Sequence, residues 1–304
     1  MHTPTLVFLT VNDHETDALL GAFRPERYET RGDVTYTLLG EVAGLHLVHT
    51  ISEMGSGGVG AAQQRSREAI EHWSPVALVA VGIAFGMDET RQAIGDVLVA
   101  TQVQDYELGR LNYDGTLTPR GDRPHSSDTL TNRLRQADTT HRCAEPDWPK
   151  VRFGLMLSGQ KLVDNLDYRN SLRAQFGETI GGEMEAQGVY VSATAAKVDW
   201  AIVKGICDWG HAKNSGEKDA WQKAAARNAV RVVKAALELG PLYASLLSMR
   251  RDEPTATRAL ALSRELLARL LEAEAIEDDA ARRFKLEHQI ADARARILKL
   301  EGGG

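Results

Sequence analysis

The segment Gly181–Gly210, with the sequence GGEMEAQGVYVSATAAKVDWAIVKGICDWG, decides how this chain is expected to fold. It opens with two glycines and with Glu183 and Glu185 on either side of Met184. The small residues that follow predict a helix, and the Ile- and Val-rich run after it predicts a buried strand that ends at Asp208. Because open α/β sheets bind ligands at the carboxyl ends of their strands, Asp208 is a candidate binding residue. The structural alternatives stay open, since a Glu at a helix start favours the helix dipole and an Asp after a strand often caps the next helix.

Strand-like apolar runs alternate with helical patterns on the amino-terminal side of this segment and continue beyond it. Strands are predicted at 6–11, 35–39, 45–50, 76–81, 94–104 and 151–158, helices at 14–23, 61–72, 129–136 and 220–247, and a polar surface loop at 105–122. This alternation over residues 5–247 predicts an α/β fold with a central mixed, mostly parallel sheet that is flanked by helices.

The composition changes after residue 247. Residues 248–257 are polar and contain Pro254, which predicts a linker, and residues 258–301 carry two amphipathic helical patterns. In the second pattern, apolar residues step by four and three, which is typical of a coiled-coil seam: Leu286, Ile290, Ala293, Ile297 and Leu300. We therefore predict a main domain over 1–247, a C-terminal helical hairpin or coiled-coil segment used as an adaptor or for oligomerisation, and a disordered tail at 302–304.

Composition and charge exclude several classes of function. The chain is 43% hydrophobic and 26% charged, with a net charge of −6, so it has no general attraction for nucleic acid or for anionic membranes. Its two cysteines, Cys143 and Cys207, cannot form a disulfide framework. The first apolar run lacks a preceding basic region, and no run approaches the roughly 20 residues of a membrane helix. The histidines show no zinc-ligand spacing. We expect a cytoplasmic protein without a metal or cofactor.

Seven motifs occur in a characteristic order along residues 5–247. They are NDHETDALL around Glu15, GSGGVGAA at Gly55–Ala62, VGIAFG at Val81–Gly86, IGDVLVA at Ile94–Ala100, SGQKLVDN at Ser158–Asn165, GGEMEA at Gly181–Ala186 and GICDWG at Gly205–Gly210. With these motifs the chain resembles the purine nucleoside phosphorylase and nucleosidase superfamily, which includes methylthioadenosine/adenosylhomocysteine nucleosidase. The resemblance implies a nucleoside phosphorylase-like catalytic domain that cleaves the N-glycosidic bond of a purine nucleoside or nucleotide and releases the free base.

The resemblance also implies roles for single residues. Asp208 matches the general acid that protonates the purine at N7, and Glu15 matches the Glu that positions the attacking water. Glu185 matches the residue that binds the ribose hydroxyls, and Met184 the residue that packs against the sugar. The base is expected to contact a further set of residues: Ala84, Leu162 and Val163.

An anion or water site is expected beside these residues. The glycine-rich turn around Gly57 feeds a helix and exposes backbone N–H groups that can hold an anion, although such turns also join a strand to a helix without a ligand. Lys204 falls where the nucleosidases carry an Arg. The sequence departs from the family pattern at two positions, with Ile83 where a small hydroxyl residue is common and Cys207 where Ser is usual.

The resemblance leaves three kinds of function to distinguish. Hydrolysis is favoured because the turn after the first strand, NDHETD, is acidic and lacks the Arg with which family phosphorylases bind phosphate. The alternatives are a phosphate-dependent phosphorylase and a non-catalytic nucleotide sensor that signals through the helical tail. A nucleotide substrate would need a cation at its 5′ group, and the candidates are Arg65, Arg110 and Lys161.

A second resemblance concerns the biological context. The segment GICDWGHAKN, followed by Trp221 and an Ala-rich helix, is similar to nucleosidase domains attached to signalling and immune proteins in bacteria and fungi. This implies a nucleotide-depleting effector in bacterial defence, with a partner protein bound through the C-terminal helices. The family resemblance further implies a homo-oligomer, since members often complete the pocket from a neighbouring subunit.

Overall fold

The computed structural model describes residues 3–212, 216–243, 256–276 and 280–301. These divide into two units, Met1–Leu242 and Tyr243–Gly304. The strands of the first unit are β1 (Thr5–Thr10), β2 (Arg27–Arg31), β3 (Val34–Val42), β4 (Leu45–Ile51), β5 (Ala77–Gly86), β6 (Val97–Asp105), β7 (Gly109–Leu111), β8 (Leu117–Pro119), β9 (Val151–Ser158), β10 (Thr179–Glu183) and β11 (Asp199–Asp208). Its helices are α1 (Asp13–Ala22), α2 (Ala62–Trp73), α3 (Asp128–Ala144), α4 (Leu166–Gln175), α5 (Ala186–Ala196) and α6 (Lys218–Glu238).

The main sheet has nine strands in the order β10-β9-β6-β11-β5-β1-β4-β3-β2. Its centre is parallel, because β5 pairs in parallel with β1 and β11, and β1 pairs in parallel with β4. Antiparallel pairing joins β11 to β6 and adds the β3 and β2 edge. Strand β10 also pairs with β5, so β5, β11, β6, β9 and β10 form a closed ring. The predicted α/β fold with a mixed sheet is confirmed.

The central strands are buried on both faces, which explains why their sequences are continuous apolar runs. Every residue of β1 is buried, and β5 and β11 are buried along almost their whole length. The small-residue helix α5 packs against α2, and a Cβ added at Gly188 would lie 2.5 Å from the backbone N of Gln63. This close approach holds the start of α5 against the turn that precedes α2.

Several elements differ from the sequence predictions. The edge strand β2 was missed because its sequence, RYETR, is polar and largely exposed. The expected loop at 105–122 contains the hairpin of β7 and β8. Helix α3 continues beyond the predicted residue 136 to Ala144. Helix α6 ends at Glu238, before Gly240 and Pro241. The helix predicted for residues 239–243 is therefore absent, and residues 244–247 lie outside the described part of the chain.

The second unit consists, in its described residues, of α7 (Ala256–Ile276) and α8 (Ala280–Glu301), which pack against each other as a helical hairpin. This is the predicted C-terminal helical segment. Of the expected linker at 248–257, the first eight residues lie outside the described ranges and the last two belong to α7, and the expected tail at 302–304 also lies outside them. None of the helices in the described ranges is long and apolar enough to cross a membrane.

Candidate active site

A cavity of about 410 Å³ lies at the carboxyl ends of β1, β5 and β11, next to the first turns of α1, α5 and α6. Seven of the residues predicted from the sequence line it: Asp208, Glu15, Glu185, Met184, Ala84, Leu162 and Val163. They come from five separate stretches of the chain. The fold therefore brings together the residues that the sequence identified at the ends of its strands and helices.

Glu15 is held in the first turn of α1 by the backbone. Asn12 caps this helix by accepting a hydrogen bond from the backbone N–H of Glu15. The Oε2 atom of Glu15 accepts from the N–H of Val11 at 2.7 Å, and Oε1 accepts from the N–H of Ile83 at 2.9 Å. The side chain is 2% exposed, so its carboxylate has a fixed position.

Space for Glu15 is made by a glycine of β5. A Cβ added at Gly82 would collide with the Glu15 carboxylate. At the other end of the same motif, a Cβ at Gly86 would lie 2.5 Å from the indole ring of Trp209. Two side chains of the protein therefore occupy the space beside these glycines, whereas Ala84 of the same motif lines the cavity.

The glycine-rich turn before α2 holds Met184 and Glu185 in place. The backbone N–H of Gly55 donates to Oε1 of Glu185 at 3.1 Å, and the hydroxyl of Ser56 donates to the carbonyl of Met184 at 2.8 Å. The N–H groups of the turn were expected to bind an anion, and the anion that Gly55 binds is a carboxylate of the protein. Gly57 is not among the residues that line the cavity.

Three carboxyl groups surround one lysine beneath the cavity. The Nζ atom of Lys204 lies 3.0 Å from Glu185, 3.8 Å from Glu183 and 4.0 Å from Glu15, and all four side chains are buried. Lys204 therefore lies behind the carboxylates rather than on the cavity wall. Three ionised carboxylates would leave this cluster with excess negative charge in a poorly solvated place, so proton binding to the cluster is favoured.

The pKa values of the cluster show where the charge resides. Burial, with the neighbouring Glu185 carboxylate, raises the pKa of Glu183 to about 7. Burial also raises the pKa of Glu15. For Glu185, burial is outweighed by the Lys204 ammonium and the Gly55 N–H, and its pKa is lowered. Burial opposes the charge of Lys204, but its three carboxyl neighbours raise its pKa. At neutral pH the ammonium of Lys204 and the carboxylate of Glu185 are thus the stable charges.

Glu183 is a site residue that the sequence interpretation did not assign. Its carboxylate accepts hydrogen bonds from the backbone N–H groups of Glu185, at 2.9 Å, and Ala186. It thereby binds free N–H groups at the start of α5, next to Met184 and Glu185, which line the cavity. The motif GGEMEA contained the signal for this role, since a carboxylate before a small-residue helix is suited to bind the free N–H groups of its first turn.

Asp208 is the last residue of β11. The pairing register with β5 shifts between Ile206 and Asp208, which is a bulge that re-aims the strand end. The Oδ1 atom of Asp208 accepts from the N–H of Gly210 at 2.8 Å, and Oδ2 lies 3.2 Å from Sγ of Cys207. Ala84, Leu162 and Val163, with Phe85, which the sequence interpretation did not assign, form an apolar wall of the same cavity.

Several other lining residues were not assigned from the sequence. They include Met54, His14, Lys218 and Gln222. Lys218 lies outside the predicted helix at 220–247, whereas it is the first residue of α6 in the structure. Of the cations proposed from the sequence, Lys161 lines the cavity, but Arg65, which is bonded to Glu68, and Arg110 do not.

Comparison with known proteins identifies the family of this chain. The sequence profile of the Phosphorylase superfamily matches residues 6–238. A "Death domain-containing ATP nucleosidase" of Amphimedon queenslandica is 26% identical over 190 residues, which are 57% of this chain and 35% of that protein. A 5′-methylthioadenosine/S-adenosylhomocysteine nucleosidase of Haemophilus influenzae is 25% identical over 192 residues, which are 62% of this chain and 80% of that protein.

A solved structure shares the fold. The 5′-methylthioadenosine/S-adenosylhomocysteine nucleosidase of Neisseria meningitidis, in complex with methylthio-immucillin-A, superposes with a TM-score of 0.66 at 20% identity over 77% of this chain and 99% of that one. The sheet, the cavity at its strand ends and the matched residues together define a nucleoside phosphorylase-like protein. The chain belongs to the Phosphorylase superfamily.

Proposed function

We propose that the first unit hydrolyses the N-glycosidic bond of a purine nucleoside or nucleotide and releases the free base. One observation carries this proposal. Asp208 lies against the apolar wall of the cavity, and Glu15 and Glu185 line the same cavity. An acid for the leaving base, a carboxylate for the sugar and a carboxylate for water are the groups that this reaction needs.

Asp208 acts as the general acid for the leaving base. As the bond between C1′ and the purine nitrogen breaks, its electron pair moves onto the base, and a proton donated by Asp208 to N7 lets the base depart neutral. The wall formed by Ala84, Phe85 and Val163 holds the base by apolar contact. Asp208 lines the same cavity, so a purine held by these residues would be within reach of its carboxyl group.

Glu185 and Met184 bind the ribose. Bond cleavage gives the ribose an oxocarbenium-like positive charge, and a fixed negative group stabilises that charge in the transition state. Glu185 is ionised because Lys204 and Gly55 lower its pKa. Its carboxylate is thus available to accept hydrogen bonds from the ribose hydroxyls, while the Met184 side chain packs against the ring.

Glu15 orients the attacking water and accepts its proton. The attacking oxygen forms a bond to C1′, and the proton it loses passes to the Glu15 carboxylate. A raised pKa makes an ionised Glu15 a stronger base than an exposed glutamate. Its two backbone donors, Val11 and Ile83, fix the carboxylate while the water is oriented.

Hydrolysis is favoured over phosphorolysis by the charges on this side of the cavity. Four carboxyl groups line it, those of Asp13, Glu15, Glu183 and Glu185, and the negative charge that Glu185 keeps at neutral pH repels a phosphate nucleophile. The nearest buried cation, Lys204, is surrounded by three of these carboxylates. A water molecule carries no charge that they would oppose.

The test is base release from adenosine, methylthioadenosine, AMP, ATP and NAD in phosphate-free buffer, followed by chromatography. We expect free base from at least one substrate, and Asp208→Asn should reduce its release by about 100-fold or more with an unchanged circular dichroism spectrum. Full activity of Asp208→Asn, or release that requires added phosphate, would overturn the proposal.

We further propose that the second unit is an oligomerisation or partner-binding segment. The whole protein is then proposed to be a homo-oligomer that depletes nucleotides as a defence effector. Support comes from the α7–α8 hairpin and from the relative named as an ATP nucleosidase with a death domain. Light scattering of the full chain measures its mass, and a monomer at all concentrations would contradict the homo-oligomer. Nucleotide pools measured in cells that express the protein test the effector role, and unchanged pools would contradict it.

A further inference from the structure

One wall of the cavity is polar and has no part in the proposed chemistry. It is formed by the first turn of α1, with Asp13 and His14, and by the first two turns of α6, with Lys218 and Gln222. The two helices pack against each other, and Nε2 of His14 lies 3.4 Å from a carboxylate oxygen of Asp219. Lys218 and Gln222 are four residues apart, which places both on one face of α6. We call these four lining residues the α1–α6 patch.

The part of the substrate that faces this patch follows from the other walls. In the proposed reaction the base occupies the apolar wall beside Asp208, the ribose hydroxyls face Glu185, and the water lies at Glu15. The 5′ substituent is the portion of a nucleoside that remains, and the α1–α6 patch adjoins Glu15 along α1. The other lining cation, Lys161, directly precedes the base-wall residues Leu162 and Val163 in the chain.

Charge pairing distinguishes Lys218 from Lys161, the other lysine that lines the cavity, and from its neighbours Lys204 and Lys223. Lys161 is paired with Glu107, Lys223 with Asp219, and Lys204 with Glu185. Within the described residues Lys218 has no carboxylate partner, and its side chain is exposed at the cavity. A lysine, a glutamine amide and an imidazole form a poor wall for an apolar thioether, because they would lose hydration without gaining hydrogen bonds. They suit the oxygens of a phosphate.

We propose that the α1–α6 patch binds the 5′-phosphate of the substrate, with Lys218 as the residue that determines specificity, so that the substrate class is purine nucleotides rather than nucleosides or thioethers. This inference rests on the proposed N-glycosidase function. Lys218 neutralises the phosphate, and Gln222 and His14 donate hydrogen bonds to its oxygens. Asp13 on the same patch opposes the phosphate and limits the affinity.

The experiment measures kcat and KM for base release from adenosine, AMP and ATP with the full chain. Wild-type protein should have a KM for at least one of the nucleotides that is lower than that for adenosine. Lys218→Met should raise this nucleotide KM by about 10- to 100-fold and leave adenosine kinetics nearly unchanged. Lys218→Arg should restore part of the loss. Asp13→Asn should shift the nucleotide KM in the opposite direction.

The matched control is Lys223→Met, which removes a lysine from the same helix that does not line the cavity. It should leave the preference for nucleotides intact. The inference is overturned if wild-type protein prefers adenosine or methylthioadenosine, or if Lys218→Met changes nucleotide and nucleoside kinetics equally.

A binding measurement separates this inference from the proposed reaction. Calorimetry with Asp208→Asn protein gives the affinities for adenosine, AMP and ATP without turnover. Nucleotide binding that weakens in the Asp208→Asn/Lys218→Met double variant supports the inference even if no base is ever released, in which case the proposed function fails alone. If both variants bind nucleosides and nucleotides with equal affinity, the inference is wrong, whereas the proposal of hydrolysis still stands.

Discussion

The Nζ atom of Lys204 lies 3.0 Å from Oε2 of Glu185, and this buried ion pair is placed directly behind the cavity wall. The lysine neutralises the carboxylate without lining the cavity itself. Glu183 and Glu15 lie within 4.0 Å of the same ammonium, so one cation sets the charge of three carboxyl groups. The protonation of the site is therefore coupled to one lysine that has no direct role in the proposed reaction.

Removal of this cation should be costly. Lys204→Met leaves buried carboxylates without a counter-charge, which we expect to lower the free energy of unfolding by about 3–5 kcal/mol and to raise the pKa of Glu185. Urea titration at pH 7 measures the stability. The double variant Lys204→Met/Glu185→Gln should recover part of the loss, since it removes both members of the pair. Additive losses in the double variant would contradict this coupling.

Gly82 should be required for activity although it contributes no side chain. In Gly82→Ala the new methyl group occupies the space of the Glu15 carboxylate, so Glu15 leaves its hydrogen bonds to Val11 and Ile83. We expect kcat for base release to fall by about 100-fold or more, while circular dichroism remains that of the folded protein. Gly21→Ala is the control, because a Cβ at Gly21 meets no atom within 4 Å. Equal activity of both variants would show that Glu15 needs no fixed position.

The stability of the protein should depend on pH through Glu183. Burial raises its pKa from 4.5 to about 7, so between these values the folded state holds a proton that the unfolded chain releases. The stabilisation that protonated Glu183 provides is complete below pH 4.5 and is lost as the pH rises through 7. Relative to Glu183→Gln, wild-type protein should thus lose up to about 1.4 kcal/mol per pH unit in this window. Urea unfolding at pH 5, 6, 7 and 8 measures both, and parallel pH profiles would refute the assignment.

The link between the glycine-rich turn and the ribose site should appear in Ser56→Ala. This change leaves the partly buried carbonyl of Met184 without its hydrogen-bond donor, which costs about 1–3 kcal/mol. Because Met184 and Glu185 are neighbours, we expect KM for the substrate to rise more than kcat falls. Ser171→Ala, which removes an exposed hydroxyl bonded within α4, is the comparison. A Ser56→Ala protein with wild-type stability and KM would mean that the turn does not support the site.

Local sequence determined the principal elements and several site residues. Continuous apolar runs predicted the buried strands, since a strand covered on both faces admits few polar residues. The ends of these runs placed Asp208 beside a cavity, and the small-residue helix after Met184 and Glu185 was correctly predicted. The edge strand β2 and the glycine-containing β10 bury little apolar side-chain surface of their own, so their sequences carried no such signal.

The tertiary structure alone decided which side chains meet. Residues 15 and 82, or 55 and 185, are far apart in the sequence, and periodicity reports which face of an element is buried but not which element lies beside it. The strand order β11-β5-β1 brings Glu15 to Gly82 and places Lys204 among three carboxyl groups. The packing of α1 on α6 adds Lys218 and His14 to one wall. The sequence by itself determined the chemical groups of the site, whereas the contacts that set their charge and position arise only when the sheet and its helices assemble.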